Sequence, residues 1–192
     1  MSRYYVFALG VVLSLGMCFG AWGDVPIDEE HFPDEAFRAV ISEKDKDGYG
    51  ILSDEEIANV NSISVSEEGI ASLKGIEYFT AIEYLFCGNN ELTELDLSHN
   101  TALIYLSCHD NHITSIKGIE YLTALRTVGC FNNELTELDL THNTALRELR
   151  CSGNYSLHTL NLSRNIALLT LQCSYCALET LDISHNSSLM QA

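Results

Sequence analysis

Basic residues are scarce in this sequence. Ten Lys and Arg stand against 27 Asp and Glu, which gives the 192-residue chain a formal net charge of −17 at pH 7. A chain this acidic repels polyanions, so DNA, RNA and an anionic membrane surface are excluded as expected ligands.

The local motifs that mark many catalytic centres are missing as well. The sequence contains no GxSxG, no HExxH and no phosphate-binding loop, and we find no other group of residues with catalytic spacing. We therefore expect no enzymatic activity and no required cofactor.

Long apolar runs are limited to one, at residues 6–19. This run is short for a membrane helix, follows a basic residue and precedes an AxA-like Ala-Trp-Gly, which is typical of an export signal. We therefore predict a signal peptide over residues 1–23, cleavage near Gly23, a secreted or cell-surface protein and no membrane span. Attachment as a lipoprotein through Cys18 is the alternative, since residues 15–18 resemble a bacterial lipobox, although Met17 is bulkier than that motif prefers.

Most of the acidic excess lies before the repeats described below. Residues 24–68 hold fourteen Asp or Glu against three Lys or Arg. Apolar residues at helical spacing in residues 32–41, with Pro33 suited to a first turn, predict a helix. An acidic loop at residues 45–56 follows, and a short second helix is expected to begin near Ser53. We predict that residues 24–59 form a helical, EF-hand-like N-terminal cap.

The acidic loop matches a calcium-binding loop incompletely. Its candidate ligands are Asp45, Asp47, the carbonyls of Tyr49 and Ile51, Ser53 and Glu56. Tyr49 stands where the motif places Asp or Asn, so any calcium binding is expected to be weak. In the alternative interpretation Ser53 and Glu56 form a capping box for the second helix, and the unit is a lid over the first repeat that needs no metal.

Residues 60–192 repeat one pattern, LxxLxLxxN followed by LxxLxCxxN, with its clearest copy at residues 92–113. Alternation in LxL and LxC places both named residues on one face of an extended segment, so each half-repeat can form a short strand. One repeat cannot bury a core alone, and neighbouring coils must supply it. This pattern predicts an α/β solenoid, a right-handed leucine-rich repeat coil with a parallel β-sheet, in about six coils with the last one truncated.

Stacked coils align equivalent residues in columns, and most columns have a packing explanation. The cysteines Cys87, Cys108, Cys130, Cys151 and Cys173 recur every 21 or 22 residues where leucine is usual, so we expect buried free thiols. Cys176 differs, because it replaces an asparagine and lies near Cys173, which leaves a local redox or bridging role open. The asparagines Asn90, Asn111, Asn133 and Asn154 are expected to bond turn backbone, and Asn100, Asn143, Asn165 and Asn186 to do the same on the other side. We interpret His99, His142, His185, Asp96, Asp139 and Asp182 as solvated surface.

The outward residues of the LxC strands are left free by this pattern. They are rich in aromatic residues and arginine, which protein interfaces favour. The candidate binding residues are Tyr84, Phe86, Tyr105, Ser107, His109, Arg126, Thr127, Phe131, Arg147, Arg150, Gln172 and Tyr175. Because four of the six basic residues of the repeats lie on or beside this face, an acidic protein or an acidic glycan is the expected partner.

The acidic helical lid followed by LxxLxCxxNxLxxL coils, with KGIEYLTAL at residues 117–125, resembles the bacterial surface leucine-rich repeat proteins of internalin type. The resemblance covers residues 24–192. It implies a cap like a truncated EF-hand and recognition of a protein on a host or neighbouring cell through the concave sheet, which here is the LxC side. The sequence departs from that family in its LDLSxN segments, its cysteine column and the lack of an anchoring motif or C-terminal cap, so the partner's identity does not carry over.

Two other functions remain open from the sequence. The chain could be a calcium-linked accessory or targeting domain of a larger secreted enzyme, or a structural component of a surface layer. A further coil begins at Ser187 and stops. We expect that the chain continues elsewhere, that its end pairs with a second copy, or that it is a truncated gene product, and we favour truncation.

Overall fold

The computed structural model describes residues 23–190. The predicted signal peptide, apart from Gly23, and the alternative lipid attachment at Cys18 lie outside these residues. No helix within residues 23–190 is long and apolar enough to cross a membrane.

The N-terminal part folds into two short helices joined by the acidic loop. Strand β1 (Val25–Pro26) pairs antiparallel with β2 (Ile51–Leu52). Helix α1 (Glu35–Ser42) lies between these strands in the chain, and helix α2 (Asp54–Ala58) follows β2. The side chain of Asp34 caps α1 by accepting from the Phe37 N–H, so the helix begins two residues later than it would with Pro33 at its first position.

The same aspartate joins this part to the repeats. The Oδ2 atom of Asp34 accepts from the backbone N–H groups of Ala71 and Ser72 at 2.9 and 3.2 Å. Beside it the buried ring of Phe32 lies against Tyr78 and Phe79, at centroid distances of 5.8 and 6.4 Å. The two helices therefore cover the apolar end of the first coil, as a lid would.

The rest of the chain is a solenoid. Its strands are β3 (Ser62–Ser64), β4 (Tyr84–Phe86), β5 (Leu95–Asp96), β6 (Tyr105–Ser107), β7 (Ile116–Lys117), β8 (Thr127–Gly129), β9 (Glu148–Arg150) and β10 (Thr170–Gln172), with 3-10 turns at Ile76–Tyr78 and Ile119–Tyr121. Six of these strands form one parallel sheet in the order β3-β4-β6-β8-β9-β10. The register is strict, so the outer two residues of each strand align with those of its neighbours. The predicted leucine-rich repeat coil with a parallel sheet and a small helical cap is confirmed.

The second predicted strand of each repeat forms in only one place. On the side opposite the main sheet, β5 pairs with β7, and the other LxL segments make no ladder in the described part of the chain. Buried asparagines supply bonds between coils there: Asn100 donates to the carbonyls of Ile76 and Phe79, and Asn165 donates to those of Leu140 and Asn143. Side-chain amides thus satisfy backbone groups that a strand ladder would otherwise pair.

The core is one continuous apolar column. The middle residue of every strand in the main sheet is buried, as are Cys87, Cys108, Cys130 and Cys151, whereas Cys173 and Cys176 are half-buried. All six of these cysteines are free thiols. Cys176 makes a weaker version of the bond that the asparagine column makes to the preceding coil. Its Sγ donates to the Cys151 carbonyl at 3.3 Å, whereas the equivalent amide of Asn154 donates to the Cys130 carbonyl at 3.0 Å.

Each coil leaves the sheet through a turn with one left-handed residue. The residues in this column are Glu67, Asn89, Asp110, Asn132, Gly153 and Tyr175, with φ between 51° and 74°. Asparagine, aspartate and glycine adopt this conformation readily, whereas glutamate and tyrosine adopt it at a cost. The repeat pattern of the sequence does not predict this column.

Candidate protein-binding face

The solvent side of the six-stranded sheet, called the sheet face below, carries most of the predicted binding residues. Tyr84, Phe86, Tyr105, Ser107, Arg150 and Gln172 lie on the strands themselves. Arg126 and Arg147 come just before β8 and β9, and His109 and Phe131 two residues after β6 and β8. Tyr175 belongs to the left-handed turn column instead and is 76% exposed, at the edge of this face.

Two aromatic pairs stand on the sheet face. Phe86 and Tyr105, from adjacent strands, have ring centroids 5.0 Å apart at an interplanar angle of 36°. The rings of His109 and Phe131 are stacked, with centroids 4.5 Å apart and an angle of 2°. Register produces both pairs, because residues at equivalent or neighbouring positions of parallel strands lie within ring-contact distance.

Between these pairs the sheet face has a depression of about 200 Å³, called the central cup below. Its lining consists of Tyr105, Ser107, His109, Thr127, Gly129, Phe131, Glu148 and Arg150. Ser107 and Gly129 face each other in register on β6 and β8 and form its floor. Ser107 is only 9% exposed, so this predicted contact residue lies at the bottom of the cup instead of on its rim.

The charges around the cup are unevenly paired. Arg150 contacts Glu148 at 2.6 Å, and His109 Nδ1 lies 2.8 Å from Asp110 Oδ2. Arg126 and Arg147 are exposed on consecutive coils, and neither forms an ion pair within residues 23–190. The uncompensated charge at this place on an acidic protein is therefore positive.

Two residues of the cup were missed from the sequence. The repeat pattern leaves the positions of Gly129 and Glu148 unrestricted, so it does not mark either residue. A glycine at an outward strand position, where no turn requires one, is the signal that could have identified the cup.

The acidic loop brings together three of its predicted ligands. One carboxylate oxygen from each of Asp45, Asp47 and Glu56 lies within 4.8 Å of the others. Ser53 contacts Glu56 within the capping box, whereas the side chain of Tyr49 is 79% exposed and Ile51 is part of β2.

The carboxylates of this loop already accept backbone hydrogen bonds. Asp45 accepts from the N–H groups of Gly48 and Gly50, both at 2.7 Å, and Glu56 accepts from those of Lys46 and Ser53 at 2.6 and 2.9 Å. The bond from Gly50 is the main cause that lowers the pKa of Asp45, and the bond from Ser53 is the main one for Glu56. Desolvation, followed by the neighbouring carboxylates, raises the pKa of Asp47.

The histidines and aspartates interpreted as solvated surface are exposed in the structure. Asp96 contacts Lys117 at 2.7 Å and accepts from Ser98. Partial burial opposes ionisation of Asp96, but these hydrogen bonds together outweigh it and lower its pKa to about 2.

Comparison with known proteins agrees with this architecture. The family model described as leucine-rich repeats in two copies matches residues 101–142. Internalin J of Listeria monocytogenes serotype 4b is 34% identical over 71 residues, which are 36% of this chain and 8% of that protein.

Solved structures match over most of the chain. A structure described as the functional domain of InlJ from Listeria monocytogenes, including a cysteine ladder, has a TM-score of 0.68 and 30% identity, and the match covers 90% of this chain and 43% of that one. The internalins inlF and inlC2 of the same species have TM-scores of 0.66 and 0.64 at 24% and 19% identity, with 91% and 89% of this chain covered and 59% and 87% of theirs. These last two similarities show the fold alone. The chain spans less than half of the InlJ domain that it matches.

Proposed function

We propose that this chain, a bacterial leucine-rich repeat protein of internalin type, is an exported, non-catalytic recognition module that binds an acidic protein partner through its sheet face. Leucine-rich repeat relatives support a protein-interaction role for the chain. Adhesion to a host or neighbouring-cell surface protein is the use that we propose for it.

The observation that carries the proposal is the pair of aromatic contacts on the sheet face. Half-exposed aromatic rings beside arginines are typical of interface hot spots, because they bury much area and lose little conformational freedom on binding.

Replacement of Tyr84, Phe86, Tyr105 and Phe131 together by alanine is expected to weaken binding at least tenfold. The protein would first be coupled to beads and cross-linked to its partner in a surface-protein preparation of target cells. The recovered partner would then be used to measure the affinity of each variant by interferometry. Far-UV circular dichroism should be unchanged, because none of the four side chains belongs to the core.

A matched control comes from exposed apolar residues elsewhere on the solenoid. Tyr121, Tyr155 and Ile166 are 55%, 74% and 62% exposed and lie outside the strands of the sheet face. Their triple alanine variant should bind as the wild type does. Equal loss of binding in both variants would contradict recognition through the sheet face.

We also propose that the acidic loop holds its shape without a metal. The hydrogen bonds from four backbone N–H groups to Asp45 and Glu56 close the loop, and Glu56 completes the capping box of α2. Asp45, Asp47 and Glu56 are the residues that would hold a calcium ion.

Removal of divalent ions with EDTA is therefore expected to leave the melting temperature unchanged, whereas Ser53→Ala should lower the free energy of unfolding by about 1 kcal/mol. Differential scanning calorimetry measures both effects. A lower melting temperature in EDTA, or calorimetric heat at millimolar calcium that Asp47→Asn removes, would show that the loop is a metal site.

A further inference from the structure

We infer that the central cup receives one aromatic side chain from an acidic segment of the protein partner. This inference rests on the proposed function and specifies the chemistry of what binds. It begins from a position on the sheet face where a side chain is missing.

Gly129 has no structural reason to be glycine. Its φ is not positive, and a Cβ atom placed on it would meet nothing closer than Ser107 Oγ at 3.9 Å. Two other glycines near this face differ: a Cβ on Gly88 would lie 2.6 Å from the His109 ring, and one on Gly153 would collide with Asn132 Oδ1. Glycine weakens a strand and often marks a close approach by another molecule, so Gly129 is best explained by the space that it leaves open.

The size and walls of this space suit a single ring. Small-molecule sites usually enclose about 300–1,000 Å³, whereas the cup encloses about 200 Å³. The stacked rings of His109 and Phe131 form one wall and Tyr105 another, and the floor is shallow at Ser107 and Gly129. A ring that enters there can make edge-to-face or offset contacts with aromatic walls on two sides.

The charges at the cup favour an acidic neighbourhood around that ring. The one carboxylate of the cup, Glu148, is paired with Arg150, and the carboxylate of Asp110 beside the cup is hydrogen-bonded to His109 and Asn132. Arg126 and Arg147 remain available on the adjacent coils, where guanidinium groups can bind carboxylates in bidentate geometry. A basic segment would meet the like charge of these arginines and would therefore gain nothing at the cup.

The test uses random dodecapeptides displayed on phage and selected on the purified full chain. We expect enriched peptides to carry Phe, Tyr or Trp within a few residues of Asp or Glu. Substitution of that aromatic residue by alanine in the synthetic peptide, and Gly129→Val in the protein, should each raise Kd by about tenfold or more in fluorescence anisotropy. The melting temperature of Gly129→Val should be equal to or above that of the wild type, because valine suits a strand better than glycine.

Ser64→Val is the matched control, because Ser64 occupies the same strand position as Gly129 two coils before the cup begins and is exposed. It should leave Kd within twofold. Enriched peptides without an aromatic residue, equal binding to Gly129→Val, or binding of an acidic oligosaccharide such as heparin with no aromatic peptide enriched would each overturn the inference.

The variant that lacks Tyr84, Phe86, Tyr105 and Phe131 separates this inference from the proposed function. If that variant loses the peptides while Gly129→Val retains them, binding occurs on the sheet face but not in the cup. If both variants retain them, recognition through the sheet face is wrong as well.

Discussion

Raising the pH above 9 is expected to destabilise the repeats steeply, by about 5 kcal/mol per pH unit near pH 10. Burial raises the pKa of the Cys87 thiol to about 12 and those of Cys108, Cys130 and Cys151 well above their usual value of 9.0. Unfolded thiols therefore ionise above pH 9 while folded ones stay protonated. The stabilisation is complete below pH 9 and is lost as the pH rises toward the folded pKa, at about 1.4 kcal/mol per thiol and pH unit.

Urea unfolding in the presence of a reductant at pH 8, 9 and 10 measures this loss. The variant Cys108→Ala removes one of the four buried thiols, so it should be less stable than the wild type at pH 8 but lose stability about a quarter less steeply with pH. If the two proteins lost stability in parallel, the buried cysteines would not be the cause.

The second large effect is expected from Asn111→Ala, which should lower the free energy of unfolding by about 3–5 kcal/mol. The Nδ2 group of Asn111 donates to the carbonyls of Cys87, Cys108 and His109, and its Oδ1 accepts from the Leu92 N–H. Alanine removes all four bonds, so the buried Leu92 N–H loses its acceptor and each of the three carbonyls loses one of its two donors. The melting temperature should fall by roughly 10 °C.

The adjacent His112→Ala is the control for that experiment. His112 is exposed and contacts Glu134 at 3.0 Å on the surface, an interaction worth about 1 kcal/mol or less. Comparable losses of stability in the two variants would refute the structural role assigned to the asparagine column.

Periodicity made the coil predictable. Leu106 and Cys108, with their equivalents every 21 or 22 residues, identify the buried face, and Asn111 identifies the turn that follows. These residues repeat because every coil poses the same packing problem, so the sequence contains several independent copies of one signal.

The details of the cup were not predictable in the same way. The stacking of His109 on Phe131 depends on the lack of a side chain at Gly88, and the cup depends on the lack of one at Gly129. These residues differ from coil to coil, so periodicity carries no information about them. The acidic loop is a third case, because Ser53 and Glu56 suit both a capping box and a metal loop: the capping box forms, and metal binding stays a prediction.

The left-handed turn column has a consequence for where the solenoid opens locally. Its two residues that adopt this conformation at a cost, Glu67 and Tyr175, follow β3 and β10, the outermost strands of the six-stranded sheet. The strain of about 1–2 kcal/mol at each residue is thus confined to the coils that have a neighbour in the sheet on one side only. Between them, turns built on Asn89, Asp110, Asn132 and Gly153 are free of this cost. Amide hydrogens of the middle coils should accordingly exchange last, and the rings that surround the cup remain fixed while the flanking coils fluctuate.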